Sequence, residues 1–174
     1  MRKEITIHED HFYQLIGRFI VEFEQASYFL RVGISSMLSA HGLRHFRITQ
    51  ILLDNNYLSG ENLIRTYDAI ATEMDFRERE ETREVVDTLS KEFGRLLKIR
   101  NNIVHGKWFI DRGGDGGSTG VSIMGYKGRP SKTEGMKYVF SAESAQELIK
   151  HVDRAKCVRM LAERALVYTV IPTP

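Results

Sequence analysis

The stretch VVDTLSKEFGRLLKIRNNIVHG, residues 85–106, decides how this chain folds. At 100° per residue, Val85, Val86, Leu89, Phe93, Leu96, Leu97, Ile103 and Val104 fall in one stripe about 120° wide, the mark of a helix with one face on a core. Arg100 sits in the middle of that stripe. A permanent cation where the period calls for leucine is costly unless it is paired or opens onto a wet cleft. His105 lies about 140° from Arg100 on an ideal helix. The two therefore meet at one phosphate only if the helix ends or bends between them, or if a second copy supplies one of them. Gly106 favours a helix end, because glycine is preferred just beyond a helix C-terminus. A purely structural account stays open beside this one. In it His105 and Gly106 only terminate the helix, with the imidazole favoured by the helix dipole, and Arg100 pairs with a carboxylate such as Glu22 or Glu24.

Other helices extend outward from this one. Thr6 with Glu9 three residues on is a capping-box pattern, which predicts a helix from about residue 7. Phe12, Leu15, Ile16, Phe19, Ile20, Phe23, Ala26, Leu30, Ile34, Met37 and Leu38 keep one face apolar to about Ala40, where His41-Gly42 interrupts. Val21, Tyr28 and Val32 form a smaller apolar strip nearly opposite, so this helix is central in a bundle or lies in a subunit interface. Residues 48–53 read equally well as helix or strand before the turn chemistry of Asp54-Asn55-Asn56. Ser59 as N-cap, with Leu58 and Leu63 as a staple, opens a helix to about Met74. The charged run from Arg77 to Glu84 starts the helix that carries Arg100. After Gly106 come short β-prone runs, Trp108-Phe109-Ile110, Val121 to Met124 and Tyr138-Val139-Phe140, separated by glycine-rich turns. They predict a small antiparallel sheet at about 107–140 before the last helix. Ser141 is the expected cap of that helix, with Glu143 in its first turn, running to about Val167 ahead of a loose tail at 170–174. The fold class is all-α, a bundle of four to five helices with a β insertion, in a single domain spanning 1–174.

Bulk properties narrow the function classes. A chain of 174 residues can bury roughly 70% of its unfolded surface without staples. Cys157 is the only cysteine, which excludes an intramolecular disulfide framework and a cysteine-based zinc site and fits a reducing compartment. The opening MRKEITIHED is polar, and no stretch approaches the ~20 apolar residues of a membrane span. The expectation is a cytoplasmic protein with no membrane partner. Between Phe93 and Phe140 nine basic residues face three acidic ones, leaving 16 basic against 20 acidic elsewhere. Positive potential is thus concentrated around Arg100, where a polyanion would settle first.

Arg100, a polar Asn101 directly after it and His105 after four intervening residues, at the end of a bundle helix, resemble the Arg-x4-6-His motif of the HEPN (higher eukaryotes and prokaryotes nucleotide-binding) domains. The order of helices over roughly 7–167 is also similar to theirs, whereas a sheet after the motif departs from the minimal bundle. The resemblance implies a metal-independent endoribonuclease, such as a toxin or defence effector, with two subunits meeting in a shared cleft. It implies RNA as substrate, a homodimer with a composite site and an antitoxin or other regulatory protein as partner. By that resemblance His105 transfers protons, Arg100 stabilises charge on the phosphoryl oxygens and Asn101 supports them, while Asn102, Lys98, Lys107, Arg112, Lys127 and Arg129 contact substrate. No cofactor and no metal is expected. The alternative is a non-catalytic HEPN-like module that binds a nucleotide or a protein.

Other motifs carry less. The glycine cluster from Gly113 to Gly120 lacks the Gly-Lys-Ser/Thr ending and following helix of a phosphate-binding loop, and reads as a hairpin turn. His41 and His45 have Gly42 between them and no accompanying glutamate, and His8 with His11 fits a polar first helical turn better than a chelate. Trp108, Phe109 and Tyr126 can stack on bases, though aromatics in short strands more often pack on a core. Nothing local marks Cys157 as reactive.

Overall fold

Helix α4, Glu80–His105, carries the stretch quoted above and buries its stripe as the period requires: Val86, Leu89, Phe93, Leu96 and Ile103 are buried. In this computed structural model the described residues are 2–43, 45–53, 60–111, 122–131 and 135–170. They are mostly helical, in the order α1 (Arg2–Ala40), α2 (Phe46–Leu53), α3 (Glu61–Glu73), α4, then strands β1 (Lys107–Asp111), β2 (Ser122–Ser131) and β3 (Gly135–Ser144), then α5 (Ala145–Val170). The strands pair antiparallel in the order β1-β2-β3, with Lys107 opposite Tyr126, Tyr126 opposite Phe140 and Arg129 opposite Lys137. Among the described residues no helix is long and apolar enough to cross a membrane.

The chain divides into two compact units, residues 1–20 with 98–153, and residues 21–97 with 154–174. Each division falls inside a helix. In the second unit, Phe23 and Phe93 stack with ring centroids 5.2 Å apart, a fully apolar α1–α4 contact. Gly33 lets α1 close on two neighbours at once, since a Cβ there would stand 3.1 Å from the Tyr67 ring and 3.5 Å from Leu166. Gly60 meets Leu97 and Asp68 accepts a hydrogen bond from Ser90, so α3 and α4 run antiparallel. Asp68 also holds Arg77 at 3.1 Å, and Arg77 reaches Asp87 at 3.2 Å. Burial pushes the neighbouring Tyr67 hydroxyl up to about 12, with the Asp68 carboxylate adding to the shift. In the first unit Phe12, Leu15 and Phe19 of α1, Ile103 of α4 and Leu148 and Val152 of α5 are buried, and the Phe19 and His151 rings lie 6.4 Å apart.

Several ends differ from the sequence expectation. Helix α1 has begun by Arg2, so Thr6 lies inside it and is not its cap. A Thr-x-x-Glu pattern is short enough to recur inside a helix, where it ends nothing. The ambiguous 48–53 is helical, with Thr49 and Leu53, four apart, buried on one side. Helix α3 is preceded by Gly60 at φ 59°, without a side-chain cap, a conformation glycine adopts without strain. Ser59, Leu58 and Asp54 to Asn56 lie outside the described residues, as do Arg112, the glycine cluster and the 171–174 tail. Ser141 lies in β3, and the cap of α5 is Ser144. The Ser144 hydroxyl accepts from the Glu147 N–H at 3.2 Å, while the Glu147 carboxylate accepts from the Ser144 N–H at 2.8 Å. This is a complete capping box. Ser144-Ala-Gln-Glu147 places an acid three residues after the cap, whereas Ser141 has Ser144 at that position.

Two measurements follow from this cap. Ser144→Ala should destabilise the protein by about 1 kcal/mol in urea unfolding. The hydrogen bonds from Ser144 hold the Glu147 carboxyl below its ordinary value of 4.5, so the folded state binds fewer protons there than the unfolded chain. The stabilisation from Glu147 is then fully present above pH 4.5 and is lost as pH falls through the lowered folded value. The gap in melting temperature between the wild type and Glu147→Ala should be constant near neutrality and close in acid.

Candidate functional site at the end of helix α4

The Arg100 to His105 segment occupies the last turns of α4 and belongs wholly to the first unit. Periodicity decides which of its side chains are covered. Ile103 is buried, Arg100 and Asn101 are half-buried, and Lys98, Asn102 and His105 are exposed. Arg100 thus keeps its place in a stripe where Val86, Leu89, Phe93, Leu96 and Ile103 are buried, and its Nε is closed off from solvent. A long aliphatic stem along apolar surface is the usual way such a cation is accommodated. Its guanidinium NH1 donates to Asn101 Oδ1 at 3.4 Å. That long contact turns the carbonyl of the amide toward the cation and leaves the amide NH2 as a donor for an anion.

The expected helix end between Arg100 and His105 is not where the structure puts it. Helix α4 runs through His105, and the Gly106 N–H continues the ladder onto the Asn102 carbonyl at 2.9 Å. The glycine stops the helix one residue too late to swing the imidazole toward the guanidinium. Arg100 and His105 therefore stay about 140° apart around the axis, and one chain presents them on different faces. Val104, placed in the apolar stripe by its period, is 45% exposed, because the final turn runs past the covered part of the helix.

The remaining candidates are distributed differently. Lys107 follows the motif at the start of β1, and Lys127 and Arg129 lie two apart in β2. Glu22, offered by the sequence as a partner for Arg100, instead holds Arg159 Nε at 2.7 Å, and Arg159 also reaches Glu163 at 3.4 Å. His11 is exposed on α1; His41 rests its ring Nδ1 3.1 Å from the Met37 carbonyl; His45 gives its carbonyl to Thr49. Among the described residues no three His, Cys, Asp or Glu side chains group to hold a metal ion. Sequence reasoning passed over His151, half-buried on α5 against Phe19 in the same unit as the motif. Only its spacing from buried Leu148 and Val152 hints at that position.

Searches against family models, curated proteins and solved structures found no match to the chain.

The placement of Arg100 separates a structural cation from a functional one. Arg100→Leu fills the stripe with the residue its period calls for, and replacing a half-buried charge by a well-packed hydrophobe is commonly neutral or stabilising. Urea unfolding should show unchanged stability or a gain of about 1 kcal/mol. A large loss would mean that the arginine holds the helix in place.

Proposed function

We propose that the chain is a HEPN-like helical bundle, with the 107–144 sheet as an insertion, that acts as a metal-independent endoribonuclease of the toxin or defence class. The observation that carries this reading is a cation kept at the centre of a buried helical stripe, with an amide beside it and an exposed imidazole one turn further on. The RNA 2′-hydroxyl oxygen attacks the adjacent phosphorus, forming the P–O2′ bond as the P–O5′ bond breaks. One imidazole takes the 2′ proton and another delivers a proton to the departing O5′. Arg100 stabilises the charge that builds on the phosphoryl oxygens, and the amide NH2 of Asn101 adds a hydrogen bond. Lys98, Asn102, Lys107, Arg112, Lys127 and Arg129 bind the RNA backbone. Because Arg100 and His105 diverge around α4, a second copy completes the site and supplies the second imidazole.

The divergence of the two side chains is also the observation that favours the alternative, a HEPN-like module that binds a nucleotide or protein without cleaving. Cleavage of a labelled RNA decides between them. The wild type should yield a 2′,3′-cyclic phosphate and a 5′-hydroxyl in excess chelator, and Arg100→Ala and His105→Ala, each verified as folded, should each lose about 10²-fold or more in rate. Equal rates for all three proteins, or activity that dies in chelator and returns with magnesium, would sink the nuclease reading.

A further inference from the structure

Helix α2 is held on one side and leaves an apolar arc on the other. Thr49 and Leu53 are buried, whereas Ile48 is 48%, Ile51 71% and Leu52 54% exposed. Counted at 100° per residue, Ile51, Ile48 and Leu52 fill one continuous arc of about 100°, within about 6 Å along the axis. Isolated exposed aliphatics are ordinary, but a contiguous group marks a surface that meets something apolar. Leu43, shortly before the helix, is exposed as well. Arg47, also exposed, borders the arc about 40° beyond Ile51, on the edge farther from Thr49 and Leu53. The charge around this arc has one sign. No Asp or Glu occurs between Glu24 and Asp54, while His41, Arg44, His45 and Arg47 gather over 41–47. Outside 93–140 the chain has more acids than bases, so this acid-free stretch departs from its surroundings.

We propose that α2, with the basic approach to it, is a docking surface for an anionic lipid bilayer, on which the helix lies in the plane of the headgroups. Ile48, Ile51 and Leu52 enter the boundary between headgroups and acyl chains. Arg47 reaches lipid phosphates from the edge of the arc, its stem following the apolar surface, and Arg44 adds attraction to the negative surface potential. Charge complementarity calls for an anionic occupant, and two further features select a bilayer. An RNA backbone matches the charge but leaves the aliphatics unused, since bases stack on aromatic rings and the exposed arc holds none. A protein groove would cover the aliphatics, but three side chains fall far short of the ~1,000 Å² of a specific protein interface. A bilayer demands no matching shape. So small an apolar area with two arginines implies reversible attachment. The sequence expectation of no membrane partner rested on the lack of an apolar span, and α2 lies on a surface without crossing it. This surface is independent of the nuclease reading, since none of its residues lies within 93–140.

Co-sedimentation of the full chain with vesicles tests the surface, with thermal melting to verify that each variant is folded. Vesicles of pure phosphatidylcholine are compared with vesicles in which about 30% of the lipid is phosphatidylserine. The wild type should partition onto the anionic vesicles about tenfold or more above the neutral ones, and the preference should shrink as salt is raised to about 1 M. Ile51→Ser, a change at an exposed position, should lower partitioning onto anionic vesicles about tenfold. Arg47→Gln should lower it about fivefold. Lys127→Gln with Arg129→Gln, in the basic region near Arg100, should matter less than Arg47→Gln alone. A wild type that stays in solution with about 1 mM anionic lipid overturns the proposal and turns the arc toward a protein groove. Binding indifferent to Ile51→Ser overturns it too, because the contact is then charge alone. So does binding that depends more on Lys127 and Arg129 than on Arg47, which places the contact elsewhere on the chain.

Discussion

A permanent cation cannot be neutralised to escape an apolar setting, and this constraint governs the end of helix α4. The stripe from Val86 to Ile103 is buried because a helix repeats every 3.6 residues, and the same repeat delivers Arg100 into its centre. Moving the guanidinium outward would rotate Phe93 and Leu96 out of the core with it. The helix therefore keeps the arginine half-buried, closes its Nε from solvent and sets the Asn101 amide against its tip. A residue retained where packing alone would select leucine is what gives this segment its functional interest.

Helix ends decide what can converge. Gly106 ends α4 only after His105 has taken its place in the helix, so the backbone that buries the arginine carries the imidazole around to another face. The distribution of charge acts on a larger scale than this pair. Cations outnumber acids in the 93–140 region and raise the local positive potential, while the guanidinium of Arg100 and the imidazole of His105 stay on different faces of the helix.

Much of the helical fold was legible from particular residues. The apolar face from Phe12 to Met37, the interruption at His41-Gly42 and the stripe of α4 are long periodic signals, and burial follows them. The failures lie at boundaries. Thr6 and Ser141 are plausible caps in isolation but lie within α1 and β3, whereas Ser144 with Glu147 carries the full reciprocal pattern and forms it. Capping signals are short and polar serines are common, so local chemistry proposes several ends and the surrounding packing selects one. The candidate site was legible as a composition and not as a geometry. Arg100, Asn101 and His105 could be named from the string, but whether the helix stopped before or after His105 depended on one backbone hydrogen bond.

The sequence by itself determined a mostly helical chain with one buried stripe per long helix, a cation inside the stripe of α4 and a basic region around it, because periodicity and charge are written residue by residue. Tertiary structure alone decided the partners. It gave Glu22 to Arg159, set Tyr67 against Gly33 and left the Arg31 Nε without a partner. Such pairings join residues far apart in the chain, and no local pattern records which of several carboxylates or rings will stand across from a given side chain.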